Sequence, residues 1–565
     1  MHVQNQEKWD VETDVLVVGS GAAGLTAAIV AHDGGAKVIL LEKSSQFGGA
    51  TAVSGGGLWV PNNRFLRAGY KIDVWDPKKK AWVKESDSKE KALRYMKKSS
   101  LGMSTDELME TYVNTINEAC NYLEENTRLK FSHARLLPEY YPEWGPDGAA
   151  QSGRSIEPQL YDMKKMPPEI AEKIRITPIS MPLLIDEIDS WGGLATFSTR
   201  WDLELIGKRM ADRIMGGGVA LVAALVHSCH DRGIDMRLDT SARHLVVEGG
   251  RVIGVFAEHE GKKSRIHAKK GVILCAGGFE WNESMVSSFL RGPMVGPLSP
   301  PHNTGDGHRM GAEVGAQLTL MYDAWWFPST HVPGDEYDGK PYYKTLLYEK
   351  GLPGTMIVNK YGNRFTNEAA NYRGLLRVWH TWDPVKYEYT NIPAWLILDQ
   401  ACHERYTILL VPPMGELPEP PFKRGGTLKE LAEKANIDPD GLEEMVKRFN
   451  KYAEEGRDPE FHRGESWYDK FYGDPNWKPN PSLGPIEKPP FYAIEVLPGC
   501  LGTCGGLKIN KRAQVIDHDD RPISGLYAAG NNTGTIMGMG YPGGGATLGP
   551  AVCFGYIAGK DVVKE

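Results

Sequence analysis

The chain has 565 residues, 41% hydrophobic and 24% charged, a globular composition long enough for two or more hydrophobic cores. A formal net charge of -7, a pI near 6.1 and the lack of any long basic run argue against a nucleic-acid partner. Seven cysteines without a dense framework fit a reducing compartment, and no segment reaches the roughly 18 apolar residues of a membrane span, so a cytoplasmic protein is expected.

The first element is the run Asp14 to Val18, short, β-branched and apolar, the pattern of a buried parallel strand. Gly19-Ser20-Gly21-Ala22-Ala23-Gly24 follows at once, then an alanine-rich helix from Leu25 to His32, and a second strand from Lys37 to Leu41 that ends at Glu42. In this strand-turn-helix-strand setting Gly19 permits the tight turn, Gly21 lets a pyrophosphate lie against the backbone and Gly24 lets helix and strand pack closely. The helix N-terminus offers free N–H groups to phosphate. Glu42, 18 residues after Gly24, stands where a carboxylate can hold ribose hydroxyls. The stretch from Ser44 to Asn63 is rich in Gly, Ala and Ser, which suits a cofactor lying along the backbone.

Further along, the run Met163 to Trp201 mixes Met, Ile, Leu and Trp with scattered charge. It reads either as a core helix pair or as a flap at a pocket mouth that admits a bulky side chain or makes peripheral contact with a membrane. His244 to Glu258 reads as a hairpin turning at Gly249-Gly250, and Lys270 to Gly278 as a strand ending in small residues. Thr427 to Glu455 is expected to be helical, and 418–421 and 479–490, rich in proline, to be loops. Ser524 to Asn531 is another strand ending in small residues, and Met537 to Pro550 is a glycine-rich loop with no basic residue. The 15 histidines show no HExxH spacing, so no metal is expected; no GxSxG nucleophile elbow occurs; Cys500 and Cys504 are four apart, the wrong spacing for a CxxC redox pair.

These segments resemble the flavoprotein group that includes fumarate reductase, aspartate oxidase and the ketosteroid dehydrogenases. Gly48 to Gly57 is similar to the group's GG-x-[ST]-x-x-[SA]-GG pattern over the flavin, Thr304-Gly305-Asp306-Gly307-His308 to its TGDG turn, and Ser524 to Asn531 to its GLYAAGE/D element, with Asn531 at the acidic position. The resemblance implies an α/β fold, with a discontinuous Rossmann-like FAD-binding domain (1–331 and 505–565) and an inserted α+β catalytic domain (332–504). It implies non-covalent FAD held by Gly19, Gly21, Ala23, Gly24, Glu42, Lys43, Gly49, Ala50, Thr51, Ser54, Gly55 and Gly56. Later contacts are expected from Ala242, Ala276, Gly277, Gly530, Asn531, Ala546 and Leu548.

Within that group the loop Tyr541-Pro542-Gly543-Gly544-Gly545-Ala546-Thr547-Leu548-Gly549-Pro550 closely resembles the YPGxGAT[LI]GPA stretch of 3-ketosteroid Δ1-dehydrogenases. The resemblance implies that the Tyr541 hydroxyl and the Gly545 N–H bind the C3 ketone of a 3-ketosteroid. Arg364 to Tyr372 matches the NE-x-x-x-Y segment, making Tyr372 the base that takes a proton from C2 while flavin N5 accepts hydride from C1. Leu137 to Pro142 matches [FL]-P-[DE]-Y-[YF], making Tyr140 its assistant, with Tyr141 the alternative. Gly153 to Pro158 and Asp323 to Trp326 are also similar to family segments. A tyrosine base has a difficulty: with a reference pKa of about 10, only about one part in a thousand is ionised at pH 7, so a neighbour must favour the phenolate. An external electron acceptor is required. Rival readings are a ketosteroid Δ4-(5α)-dehydrogenase, a fumarate- or urocanate-reductase-like enzyme on a small carboxylate, which the missing basic residues disfavour, and a flavin-binding redox sensor without catalysis.

Overall fold

The computed structural model describes residues 8–177 and 180–565, the side chains of Ala195 and Ser198 excepted. Residues 1–7 of the polar N-terminal stretch, and 178 and 179 within the 163–201 run, lie outside the described residues.

The chain opens with β1 (Val11–Val18), α1 (Ala22–Asp33) and β2 (Val38–Leu41). Then come α2 (Gly217–Asp231), β3 (Asp235–Arg237), a hairpin of β4 (Thr240–Glu248) and β5 (Arg251–His259), and β6 (Lys262–Leu274). The inserted part carries β7 (Ala324–Tyr337), β8 (Lys340–Thr345), β9 (Thr355–Asn359), β10 (Ala394–Asp399) and β11 (Lys423–Gly425). It continues through α3 (Leu428–Ala435), α4 (Pro439–Glu455), β12 (Phe491–Glu495) and β13 (Leu497–Thr503). The chain then returns through β14 (Pro522–Ala528) and α5 (Leu548–Val562).

The first unit is a parallel sheet in the order β3-β2-β1-β6-β14, with the β4–β5 hairpin added antiparallel to β6. Val15 to Val18 are buried on both faces, which is why the run is apolar at consecutive positions rather than at alternate ones. β6 is 13 residues long because one of its edges serves two partners. Lys262 to His267 pair with β5, and Val272 to Leu274 pair with β14. α1 is buried from Ala22 through Ala31, as expected of a helix apolar all round, and α5 closes on it. A Cβ on Gly555 would meet the Ala23 carbonyl oxygen at 2.5 Å, and one on Gly559 the Ala27 oxygen at 2.7 Å, so the two helices approach backbone to backbone.

The inserted unit is built on an antiparallel sheet in the order β9-β10-β12-β11. Met356, Val358 and Ile397 pack with Leu431, Leu442 and Phe449 of α3 and α4; Ile357, Leu396 and Leu398 pack on the other face with Trp326 and Trp379. This is the two-residue alternation of a strand, buried on both sides. A second sheet, β8-β7-β13, joins the two units.

Three expectations need correction. The single helix over 427–455 is two, because Asn436 takes a left-handed φ of 55° that ends α3, and Asp438 caps α4 with Pro439 in its first turn. The boundary at 332 falls inside β7, and the apolar cluster of the inserted unit reaches back to Phe279. The 163–201 run is not a helix pair: among its described residues it holds only the short α-helices Pro168–Ala171, Ile185–Ser190 and Phe197–Arg200 and the single 3-10 turns Met163–Lys165 and Leu194–Thr196.

Candidate active site

A cavity of about 450 Å³ opens outside the C-terminal ends of β1, β2, β6 and β14, where the inserted unit covers them. This is the usual ligand position in open parallel sheets. At its first end the glycines divide by role. Gly19 has a φ of 104° and a Cβ there would strike the Cys275 backbone, with its carbonyl carbon at 2.8 Å. A Cβ on Gly24 would strike the Gly19 carbonyl. These two are required by packing. Gly21 and Gly49 differ: the nearest atom to a Cβ on Gly21 is Thr51 Oγ1 at 3.4 Å, and nothing lies within 4 Å of one on Gly49. Both line the cavity, so a side chain at either would stand in it.

Around this cradle lie the N-terminus of α1 (Gly21, Ala22, Ala23) and the carboxylate of Glu42. Glu42 Oε2 accepts from Ser20 N at 3.1 Å and Ser20 Oγ at 2.7 Å, and its Oε1 from Ser44 N at 2.9 Å. Lys43 Nζ donates to Thr304 Oγ1 at 2.7 Å and Asp306 Oδ2 at 2.6 Å. Ala50, Thr51, Ser54, Gly55 and Gly56 form the wall beyond it. Ala242, Ala276, Gly277, Gly530, Asn531 and Leu548 close the other side. Of the expected cofactor contacts, Gly24 and Ala546 do not line the cavity; both are buried behind its wall. A helix N-terminus on the cavity wall, an open glycine cradle and a carboxylate at a strand end match the pyrophosphate and ribose of FAD, so the residues present fit that cofactor.

At the far end three tyrosines converge from distant parts of the chain, all on the cavity wall: Tyr140, Tyr372 and Tyr541. The Tyr140 ring stacks on Tyr541, with centroids 4.9 Å apart and planes at 13°, and meets Tyr372 edge-on at 5.1 Å. Its hydroxyl donates to the Tyr372 oxygen. Trp325 abuts Tyr541 at 5.2 Å and Phe327 abuts Tyr372 at 4.2 Å.

The backbone around them is tightly held. Tyr140 N and Tyr95 Oη both donate to the Pro542 carbonyl, at 3.0 and 2.7 Å. Arg373 donates to the carbonyls of Gly538 and Gly540 at 2.8 Å each, and to Asp323 Oδ2 at 3.0 Å. Beside Tyr140, Glu139 bridges to Gly543 and forms a buried ion pair with Arg154 at 2.9 Å; Arg154 also binds Asp87 at 2.7 Å. Gly545 has a φ of 92°, and a Cβ on it would sit 2.5 Å from Leu58 Cα. No described residue accepts the Gly545 N–H, and the residue lines the cavity.

Electrostatics follow from burial. It pushes the Tyr372 phenol well above its ordinary value; the neighbouring Tyr541 adds to this, and the hydrogen bond from Tyr140 acts in the opposite direction. Burial raises Tyr140 and Tyr541 as well, so Tyr541 keeps its proton and stays a hydrogen-bond donor. The alternative Tyr141 does not line the cavity, whereas Tyr140 does.

Sequence reasoning missed Phe327, Tyr472, Leu137 and Ile185 on the wall. Tyr472 comes from an irregular aromatic stretch with no periodic signal, and Phe327 sits in a strand whose first seven residues are all buried, so no alternation singles it out. Among the described residues no group of three or more His, Cys, Asp or Glu side chains could hold a metal, and no helix is long and apolar enough to cross a membrane.

Comparison with known proteins places this geometry among relatives. The FAD binding domain family matches residues 14–548. The chain is 38% identical over 561 residues to 4-oxocyclohexanecarboxylate 2-dehydrogenase of Sinomonas cyclohexanicum, covering 98% of this chain and 93% of that one. It is 36% identical over 581 residues to 3-oxosteroid 1-dehydrogenase of Mycolicibacterium smegmatis, covering 98% and 97%. Among solved structures, 3-ketosteroid Δ1-dehydrogenase from Sterolibacterium denitrificans, in complex with 1,4-androstadiene-3,17-dione, superposes with a TM-score of 0.88 at 34% identity, covering 98% of this chain and 99% of that one.

Proposed function

Because the chain belongs to the FAD binding domain family, we propose that it is an FAD-dependent oxidoreductase that dehydrogenates 3-ketosteroids between C1 and C2, giving the 1-ene-3-one. The observation that carries this reading is the convergence of Tyr541, Gly545, Tyr372 and Tyr140 on one cavity wall.

Tyr541 Oη and the Gly545 N–H are two donors for one ketone oxygen. Held there, they stabilise the negative charge that grows on that oxygen as the neighbouring carbon loses a proton. Tyr372 takes that proton from C2, and the Tyr140 hydroxyl, donating to the Tyr372 oxygen, stabilises the phenolate form the reaction needs. The α1 N-terminus, Gly21, Glu42 and Gly49 to Gly56 would hold FAD non-covalently, and the bound flavin would supply the hydride acceptor for the adjacent carbon. The aromatic lining of Trp325, Phe327 and Tyr472 excludes water and strengthens these hydrogen bonds. An external acceptor takes the two electrons, in a cytoplasmic setting.

All three relatives named above act, by their names, on a cyclic ketone: one on a monocyclic keto acid and two on a 3-ketosteroid. A keto acid would call for a cation beside the tyrosines. The cationic side chains on the wall, Lys43 and Arg175, lie at the nucleotide end and are already paired, with Asp306 at 2.6 Å and with Asp338 at 2.5 Å; Arg373, next to the tyrosines, is off the wall and bound to Asp323 and to two backbone carbonyls. The aromatic end is suited to an uncharged ring system, which favours the steroid.

The test is anaerobic. Mixing the yellow enzyme with a 4-ene-3-ketosteroid should bleach the flavin absorbance and yield the 1,4-diene-3-one by NMR. Bleaching by 4-oxocyclohexanecarboxylate alone would transfer the assignment to a monocyclic keto acid. Bleaching only by a 5α-saturated ketone, with the 4-ene as product, would make it a Δ4 enzyme.

A further inference from the structure

Past Leu347 and Ile185 the cavity adjoins a second chamber of about 250 Å³. The two share six wall residues: Val53, Ser54, Gly55, Ile185, Thr345 and Leu347. Its remaining wall is mainly apolar, from Met181, Leu183, Ile188 and Leu194 of the 163–201 run and from the Leu409-Leu410 turn. Leu410 is 45% exposed, so the chamber reaches the surface there.

The apolar run is held firmly. The Glu157 carboxylate accepts from the backbone N–H groups of Ile185 and Asp186 at 2.5 and 3.1 Å. Arg209 forks onto both oxygens of Glu187 at 2.8 Å, and Met181 O accepts from Gly216 N at 3.0 Å. The charged groups on the chamber wall are occupied: Lys344 pairs with Asp335 at 2.7 Å, and Glu349 accepts from Leu409 N at 3.3 Å. The volume lies below the roughly 300–1,000 Å³ of a complete small-ligand site, so the chamber suits part of a molecule rather than a second whole one.

We infer that this chamber is a specificity subsite for an apolar side chain carried by the steroid at the end remote from its reacting ring. The inference rests on the function proposed above. It makes the 163–201 run a determinant of substrate choice, favouring 3-ketosteroids that retain an alkyl chain at C17.

Two steroids and two substitutions test it: cholest-4-en-3-one, which carries the chain, and androst-4-ene-3,17-dione, which does not, with Met181→Trp and Leu194→Trp. Rates are read as anaerobic flavin bleaching in a single turnover, which removes the electron acceptor from the measurement, and affinity is read from spectral titration with each diene product. Filling the chamber should lower the efficiency with the side-chain steroid at least about tenfold while leaving that with the dione within about twofold. Leu194→Ala, which enlarges the chamber, should keep the dione rate and so report that the segment still folds. An equal loss for both steroids, or no loss for either, overturns the subsite. Reaction with the dione alone in the unsubstituted enzyme also overturns it and leaves the proposed dehydrogenation standing. Reaction with neither steroid overturns both.

Discussion

Tyr140 donates its hydroxyl proton to the oxygen of Tyr372, and that bond opposes the effect of burial on the Tyr372 phenol. With burial raising that phenol well above its ordinary value, the ionised fraction is small at neutrality and grows through the whole alkaline range. The rate of the reductive half-reaction should therefore climb about tenfold per pH unit from 7 upward, with no plateau below about pH 10. Tyr140→Phe removes a hydrogen bond to a charged oxygen, worth about 1.5–3 kcal/mol, and should cut the rate at pH 7 roughly 10- to 100-fold with the slope unchanged. Stopped-flow flavin bleaching against pH measures both; a rate that falls above neutrality would remove Tyr372 as the base.

Tyr541 stays protonated and lines the same cavity as Gly545. Tyr541→Phe keeps the ring that stacks on Tyr140 and deletes the donor. Loss of one such donor costs about 10²–10³ in kcat. Flavin content, read as the ratio of flavin to protein absorbance, should be unchanged. A loss below fivefold would mean that the ketone oxygen binds elsewhere.

Arg154 has a fully buried guanidinium between Asp87 and Glu139. Arg154→Leu leaves two buried carboxylates without their cation, a change that typically costs about 3–5 kcal/mol. The midpoint of guanidinium chloride unfolding should fall accordingly. Because Glu139 adjoins Tyr140 and bridges to Gly543, steady-state activity should drop below that of Tyr140→Phe even where the variant remains folded.

His308 is buried, with its pKa pushed down to about 4 by burial, and its Nε2 sits 3.0 Å from the Gly505 carbonyl. The folded protein therefore keeps this ring neutral where the unfolded chain, near 6.5, protonates it. The unfolded state binds the extra proton between those two values, so stability is lost as pH falls from about 6.5 to about 4. The loss should reach roughly 3 kcal/mol at the lower end. His308→Gln should flatten that part of the melting-temperature profile; an unchanged acid slope would assign the loss to other groups.

The nucleotide end of the site is legible in the sequence because consecutive residues build it. Gly19 to Glu42 form one βαβ unit whose spacing is set by strand and helix geometry. The tyrosine end is not legible in this way. Tyr140, Tyr372 and Tyr541 meet only through tertiary folding, and no local period links them, so their grouping rests on resemblance to known motifs. Tyr472 and Phe327 escape even that, because an aromatic residue in a loop or a fully buried strand looks the same whether it lines a ligand site or a core. The 163–201 run is opaque for a related reason. Its apolar residues face a cavity rather than a helix partner, so they carry neither the 3.6-residue nor the two-residue repeat.

The contact between α1 and α5 has a consequence for synthesis. α1 is apolar all round, and the helix that covers its outer side begins at Leu548. At about 5–20 residues per second, a ribosome needs roughly half a minute or more to deliver that cover. Through that interval the nascent chain holds an apolar helix and an unfinished parallel sheet, the kind of surface that chaperones bind and that aggregates when they do not. The close approach at Gly555 and Gly559 leaves no room there for any side chain on the late helix, so the cofactor-binding half is completed only when that helix docks.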